Sequence, residues 1–509
     1  MSARRGILSG TVCLALSLAP VIGREELALG VEDAVQRALE RGLDLQIERI
    51  NPLIARERIL EAKGEFGLSL GFSGTYKNNK RFSNSVLEIA AVDGRIREEI
   101  YTPQATLSGK FALGTEYNFS VSAPILKSDN PLRLFDESYT PTANLGFVQP
   151  LINGFGPGVN KVRIRQAESS ERESLLALKA KMLTVIRDVE IKYWAVSYAQ
   201  RHVEVTQGSL DVATDLVERL SRMHGAGLAT TLDLSKAQLA AAERKADLAR
   251  ARADLLNAQT LLRSVIDPGL PASTSIIARD TPPDDGPPAD LQEKLDLAVA
   301  TRPEIAQQTA AIERLQMEER LARSNSLWRL DAQAGASFNG LAGKEVGPLI
   351  VSPLPAGLDE RDDYWEAFDD GNMSWAVGLS LEIPLGNRSA LAELEPTRLR
   401  LRQEEIRLSL IKAQIGVELQ VAFQDMTAEW MRLTAAHEAV EIARRQLDAE
   451  ERSMGAGLTT VSRVLDAQDD LARAQDTETL ALVSYASARA RLVAAQGAGL
   501  ETYRLELEP

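Results

Sequence analysis

The sequence predicts an α+β chain built as two copies of one plan, each copy combining very long antiparallel helices with a group of β-strands. Three observations carry this. A corner, "MHGAGLATTLDLSKAQ" from Met223, returns as "MGAGLTTVSRVLDAQ" from Met454, so that Gly225-Ala226-Gly227-Leu228 recurs as Gly455-Ala456-Gly457-Leu458 after 230 residues. Each corner is flanked by helix-prone sequence, about 159–223 and 230–266 in the first copy and 387–453 and 460–497 in the second. Ahead of each long helical segment lies an insert in which apolar residues alternate with small or polar ones.

From the amino end, Arg4 and Arg5 precede an uncharged apolar run from Ile7 to Ile22 that closes on Val21-Ile22-Gly23. This pattern predicts a secretory signal peptide over 1–23, cut after Gly23. Its removal takes away Cys13, the only cysteine, and shifts the net charge from −14 to −16, because two arginines leave and no acid does. Such a charge argues against nucleic acid as a partner. No later uncharged run reaches the ~20 apolar residues of a membrane helix. Entry into a membrane then requires a closed β-barrel.

The first repeat is placed at 24–266, with a helix at 31–64, a strand insert at 66–150, the long helix, the corner 225–228 and a second helix. A Pro-, Gly- and Asp-rich stretch at 267–290 reads as an irregular connector. The second repeat, 291–497, follows the same order, with a helix at 289–326, an insert at 328–385 and the corner 455–458; a tail, 498–509, ends the chain. Register between the repeats is visible outside the corners: Ala38 and Asp44 align with Ala298 and Glu304 after 260 residues, and Pro150-Leu151 aligns with Pro384-Leu385. At 1.5 Å per residue each long segment spans ~100 Å, and two shorter helices end to end match it. Apolar positions step by three or four through Met182, Val185, Val189, Tyr193 and Val196, with charged residues around them, as in a solvated coiled coil. Pro396 is expected to kink or restart the second long helix.

The inserts have period two. Leu68, Leu70, Phe72 and Tyr76 share one face of a strand; so do Trp328, Leu330, Ala332, Ala334, Ala336 and Phe338; so do Trp375, Val377, Leu379, Leu381 and Ile383; Ala143, Leu145 and Phe147 do so more weakly. Of 25 aromatic residues, 18 lie in 66–155 and 328–375, as an interfacial girdle requires, and Phe72, Tyr76, Phe147, Trp328, Phe338 and Trp375 are its candidates. Two pairs of strands cannot close a barrel of at least ~8, so a barrel has to be shared between chains. Three chains give twelve strands. "QATLSGKFALGTEYNFSVSA", from Gln104, reads as a hairpin turning near Gly114-Thr115; it is either an extracellular extension or an extra strand pair.

With these features in order, the chain resembles the TolC-like outer-membrane efflux proteins over about 31–497. The carriers are the repeat itself, "RPEI" from Arg302, "VQPLINGFGPGVN" from Val148, "GLSLEIPLGNRSALAELE" from Gly378 and "GLTTVSRVLDAQ" from Gly457. The resemblance implies a homotrimer in the outer membrane of a Gram-negative-type cell, with a shared β-barrel continuing into a periplasmic α-barrel. It implies an exit duct of a tripartite efflux pump or type I secretion system, partnered by a periplasmic adaptor and an inner-membrane transporter. The connector and tail would form an equatorial belt. Gly225, Gly227, Leu228, Gly455, Gly457 and Leu458 would be the periplasmic tips and adaptor-docking corners, the glycines stopping each helix and the leucines covering the turn. Asp233, Arg463 and Asp466 become candidate aperture charges, each present three times around the axis. Relatives often carry a second acid where Arg463 stands, and some carry a basic residue at the position of Thr459. Arg463 and Asp466, at i,i+3, also have the spacing of a simple helix-surface pair.

The sequence offers no catalytic constellation and no cofactor or metal pattern: His202, His224 and His437 are scattered, and "GFGPG" at Gly154 lacks the Gly-Lys-Ser/Thr that a phosphate loop needs. The competing reading is a soluble periplasmic coiled-coil scaffold or adaptor without transport activity, which accounts for the helices and leaves the alternating strands without a role.

Overall fold

The structure, a computed structural model, describes residues 26–83, 94–130, 133–227, 229–283, 285–287, 290–345, 372–456 and 458–504. The expected signal peptide, Leu228 and Gly457 lie outside the described residues. Two compact units emerge from the chain, one comprising residues up to Gln46, Met182–Leu295 and Glu418 onward, the other Ile47–Lys181 and Asp296–Val417. Each is built from both sequence repeats.

The first unit holds β1 (Glu26–Leu29), α1 (Val31–Arg41), α5 (Thr231–Ile266) and β8 (Ser275–Ala278), with the corner-proximal parts of two long helices and the helices that follow them. The long helices are α4 (Val162–Gly225, 64 residues) and α8 (Arg388–Gly455, 68 residues), and α9 (Val461–Gln496) follows the second corner. The core of this unit contains Val189, Tyr193, Leu262, Ile266 and Tyr485, each under 2 % exposed. Tyr193 is buried to the hydroxyl and bridges backbone there: its Oη donates to the Leu29 carbonyl at 3.1 Å and accepts from Asp280 N–H at 3.0 Å. Within the stretch expected to be irregular, β8 pairs in parallel with β1, Leu27 opposite Ile276. Asp267, the C-cap of α5, accepts from Arg41 at 3.0 Å and from Gly269 N–H at 3.0 Å, and pairs with Arg37. Burial alone raises the Asp267 carboxyl; the Arg41, Gly269 and Arg37 hydrogen bonds and the Arg41 charge outweigh it and hold the pKa below the ordinary aspartate value. After α9 the chain turns through a short α10 (Gly499–Thr502), and Tyr503 donates to the carboxylate of Glu190 on α4.

Each expected first helix of a repeat is two helices. α1 gives way to α2 (Leu43–Gly64) at Gly42, and α6 (Leu291–Thr301) to α7 (Pro303–Asn325) at Arg302. The same cap closes both: Gly42 N–H reaches the Ala38 carbonyl at 2.9 Å and Arg302 N–H the Ala298 carbonyl at 3.0 Å. The aligned pair Ala38 and Ala298 thus mark one structural event in each repeat. In the first, a Cβ on residue 42 would stand 2.5 Å from the Ala38 oxygen, so a side chain there would force the cap to shift. In the second, Pro303 sits at the first helical position, where its missing N–H has no partner to lose. Pro396 and Pro52, by contrast, lie inside continuous helices, so neither restarts its helix. Thr397 Oγ1 bonds the Glu393 carbonyl beside Pro396, one of the local bonds that keep such a turn satisfied.

The second unit carries one antiparallel sheet of β2 (Ser69–Phe82), β3 (Arg95–Lys110), β4 (Glu116–Ser122), β5 (Ile125–Ser128), β6 (Phe135–Tyr139), β7 (Thr142–Pro150), β9 (Arg329–Asn339), β10 (Ala342–Glu345) and β11 (Asn372–Glu382). Across its middle the order is β2-β3-β4-β7-β9-β11. The hairpin from Gln104 therefore stands between the first strand and β7, inside the sheet. It turns where expected, with Gly114 N–H on the Phe111 carbonyl at 2.8 Å and Phe111 N–H on the Thr115 carbonyl at 2.8 Å. Helices of this unit are tied to one another by Ser169 Oγ on the Ala310 carbonyl (3.0 Å) and Gln308 on Glu404 (2.7 Å).

Candidate functional site

Two constellations stand out, the faces of the sheet and the helical corners. Antiparallel register aligns the strands into rows, and alternate rows lie on opposite faces. One row reads Gly71, Thr106, Ser120, Asn144, Ser337, Ser374. The next reads Phe72, Ala105, Val121, Ala143, Phe338, Met373. A third, two steps on and so on the same face as the second, reads Leu70, Leu107, Phe119, Leu145, Ala336, Trp375. Ser73, Gln104, Ser122, Thr142, Asn339 and Asn372 return to the polar face. The alternation seen in single strands is thus coherent across these rows: one face is apolar and the other is hydroxyl- and amide-rich. On the same face, toward the helices, one row reads Lys110, Glu116, Val148 and Gln333, and Lys110 pairs with Glu65 at 3.5 Å.

Aromatic residues bound the apolar face. Tyr117 lies opposite Phe147 in its lower row, and Tyr76 lies opposite Tyr101, with Tyr139 further along the same upper row beside Ile125. Of the aromatics singled out from the sequence, Tyr76 and Phe147 fall in these outer rows. Phe72, Phe338 and Trp375 fall between them, and Trp328 stands just before β9. All six are exposed; Phe72 is 78 % exposed and Trp375 74 %. Sequence reading did not single out Tyr101, Tyr117 and Tyr139 as boundary aromatics, although period-two spacing from Leu107, Phe119 and Ala143 carries that signal.

The corners lie in the first unit. At the first, α4 closes with Ala226 N–H on Arg222 O (3.2 Å) and Gly227 N–H on His224 O (3.0 Å), and Gly227 takes φ +75°, the left-handed conformation that only glycine adopts without strain. Gly225 remains in the helix, so of the two glycines Gly227 makes the turn. At the second corner, Ala456 N–H bonds Arg452 O (3.2 Å) and Leu458 N–H bonds Ser453 O (2.9 Å). Leu458 is 82 % exposed. Thr459 Oγ1 donates to Glu450 at 2.8 Å.

The candidate aperture charges have different surroundings. Asp233 forms a capping box with Thr230: Asp233 N–H bonds Thr230 Oγ1 at 3.1 Å, and Thr230 Oγ1 donates to Asp233 Oδ2 at 2.6 Å. It therefore already serves the start of α5. Arg463 and Asp466 are exposed on α9, beside buried Val464 and Ala467. The two hairpins touch here. Leu216, Leu220 and Ala237 of the first pack with Val461 and Leu465 of the second, Lys236 reaches Ser462 at 3.3 Å, and Arg244 pairs with Asp469. Asp469 is thereby spent on an interhelical pair.

Among the described residues no helix is long and apolar enough to cross a membrane, and no cluster of His, Cys, Asp and Glu could hold a metal ion. No curated protein sequence matches the chain significantly. Solved structures do match it in fold. A membrane protein from Pseudomonas aeruginosa superposes with TM-score 0.64 at 16 % identity, covering 92 % of this chain and 93 % of that one. The outer membrane protein VceC of Vibrio cholerae does so with TM-score 0.62 at 17 % identity, covering 92 % and 96 %. The MtrE outer membrane channel of Neisseria gonorrhoeae, in its open state, gives TM-score 0.61 at 17 % identity, covering 92 % and 89 %. The profile of the outer membrane efflux proteins matches residues 34–266 and 295–498, both repeats nearly end to end, and the chain belongs to that family.

Proposed function

We propose that this chain is one subunit of a homotrimeric exit duct, through which a tripartite efflux pump or type I secretion system passes its cargo across the outer membrane. The observation that carries the reading is the sheet: between the two aromatic rows one face is apolar and the other is mostly polar or small, and among the described residues no strand pairs the outer edges of β2 and β11. In lipid an unpaired strand edge exposes backbone groups at several kcal/mol each, so the edges have to meet copies of themselves. The apolar face then meets lipid and the polar face lines water. A soluble scaffold has no use for such a face, and the family is an outer-membrane one.

Gly225, Gly227, Leu228, Gly455, Gly457 and Leu458 form the periplasmic tips in this reading, and Leu458, exposed at its corner, is an anchor for a periplasmic adaptor. Asp233, Arg463 and Asp466 set the charge of the tip aperture. The wall supplies no energy source, so transport is passive and driven by an inner-membrane transporter. The test is extraction from outer membranes and conductance in planar bilayers. A detergent-dependent trimer that forms pores is expected, with the combined D233N, R463Q and D466N substitutions altering conductance and ion selectivity. A water-soluble monomer without pore activity refutes the duct; unchanged conductance in the triple variant refutes the aperture roles alone. Copurification of an adaptor with the native chain, reduced several-fold by Leu458→Ser, tests the docking corner.

A further inference from the structure

The sheet is counted as nine strands, but its register shows six. Gln104 of β3 faces Ser122 of β4, and Tyr101 faces Ile125 of β5. Three residues back along β3 match three residues forward, so β4 and β5 are one strand from Glu116 to Ser128 in a single register. Ser122 faces Thr142 of β7, and Ile125 faces Tyr139 of β6, which joins β6 and β7 by the same step. Thr142 faces Asn339 of β9 and Tyr139 faces Ala342 of β10, which joins those two.

The interruptions fall on one level and have one cause. Pro124 and Pro141 carry no N–H for the ladder. Their carbonyls still accept, Pro124 from Thr140 N–H at 3.1 Å and Pro141 from Gly340 N–H at 2.9 Å, while Pro103 accepts from Ala123 N–H at 3.1 Å. The ladder therefore crosses the proline level without losing register. Each of the six strands is eleven residues or longer, and a tilted membrane strand needs about 9–11. β3 and β4–β5 carry the same apolar and polar faces as their neighbours, and they separate β2 from β7, which make no pairing with each other. An extracellular extension would need neither an apolar face nor that position.

We infer that each chain contributes six strands to the wall, so that three copies close a barrel of eighteen strands and not twelve. This rests on the trimeric duct proposed above. Direction supports closure: β2 leaves the helices and β11 returns to them, so the β2 edge of one copy meets the β11 edge of the next in antiparallel sense. Every residue of both edge strands is exposed within one chain. Barrel diameter grows roughly linearly with strand number, so the lumen is about 1.5 times as wide as that of a twelve-stranded relative, in the range where barrels hold an open aqueous channel. The outer mouth then offers little resistance, and passage of bulky cargo is controlled at the helical corners.

The test is spin-label accessibility on single-cysteine variants of the full chain in lipid bilayers, beside an electron-microscopic strand count of the trimer. Labels at Val121 and Ala143 are expected to be reached by lipid-soluble oxygen, and labels at Ser120 and Asn144 by a water-soluble nickel complex, alternating as at Phe72 and Gly71. Eighteen strands are expected in the count. Labels on β4 that are water-accessible on both faces, with alternation kept on β2, β7, β9 and β11, overturn the six-strand wall and leave the duct standing. Twelve strands from three chains do the same; twelve from two chains keep six strands per chain and overturn the eighteen-stranded trimer. Loss of alternation on all strands refutes the duct itself.

Discussion

A charge placed on the apolar face tests the wall at its most sensitive point. Along the strand from Tyr117 to Ile125, which lie in the lower and upper aromatic rows, eight residues at ~3.4 Å cover ~27 Å. A tilt of about 40° reduces this to ~21 Å of height, close to the ~25 Å apolar band of an outer-membrane barrel. Val121 is halfway, at the bilayer midplane. Val121→Arg is therefore expected to cost about 2–4 kcal/mol per chain, the depth-dependent cost of an arginine facing lipid at that level. That is a roughly 30- to 700-fold shift in the folding equilibrium. Ser120→Arg, one residue away, points into the lumen and should cost under about 1 kcal/mol. The measurement is the guanidinium midpoint of the protein refolded into lipid vesicles, followed by resistance of the trimer to dissociation. Equal destabilisation by the two substitutions, or a larger effect from Ser120→Arg, would refute the assignment of the faces.

Other consequences concern the helical unit and the repeat. Gly42→Ala should destabilise by about 1–3 kcal/mol, because the added Cβ meets the Ala38 oxygen and the α1–α2 junction has to open, visible as a lowered thermal midpoint. Asp267→Asn should cost about 1–3 kcal/mol by weakening charge-assisted bonds from Arg37 and Arg41. Because the Asp267 pKa is lowered in the fold, its contribution is present above the ordinary value of 3.8 and fades as pH falls below it, and in the Asn variant that acid dependence should shrink. Glu190 behaves oppositely. Burial raises its pKa, with the Tyr503 hydrogen bond and the Arg489 charge opposing the shift only in part. Its contribution is fully present below 4.5 and is lost as pH rises through the raised value. Glu190→Gln should therefore raise the denaturation midpoint at pH 8 and leave it nearly unchanged at pH 4; a variant less stable at pH 8 would contradict the burial argument.

Much of this architecture can be read from residue order, because it rests on local chemistry. The long helices end within two residues of the expected limits, since Gly227 supplies a left-handed turn and Thr230 with Asp233 a capping box, both short-range devices. Period two marks the strands because each face of a pleated sheet meets one environment. Pro303 marks its helix break through its missing N–H, but the equivalent break at Gly42 escapes notice, because a glycine in a helical stretch signals nothing until the Ala38 oxygen stands in the way of a Cβ. Only tertiary structure decides what depends on partners distant in sequence. Strand β8 arises in a Pro-rich connector because β1 offers it an edge. Asp469 is claimed by Arg244 of another helix, a pairing that nothing in the neighbouring residues announces. The hairpin from Gln104 belongs to the sheet because its two strands find β2 on one side and β7 on the other. Pairing between strands is a long-range choice among many energetically similar edges, whereas a helix stop or an alternating face is written into a few adjacent residues.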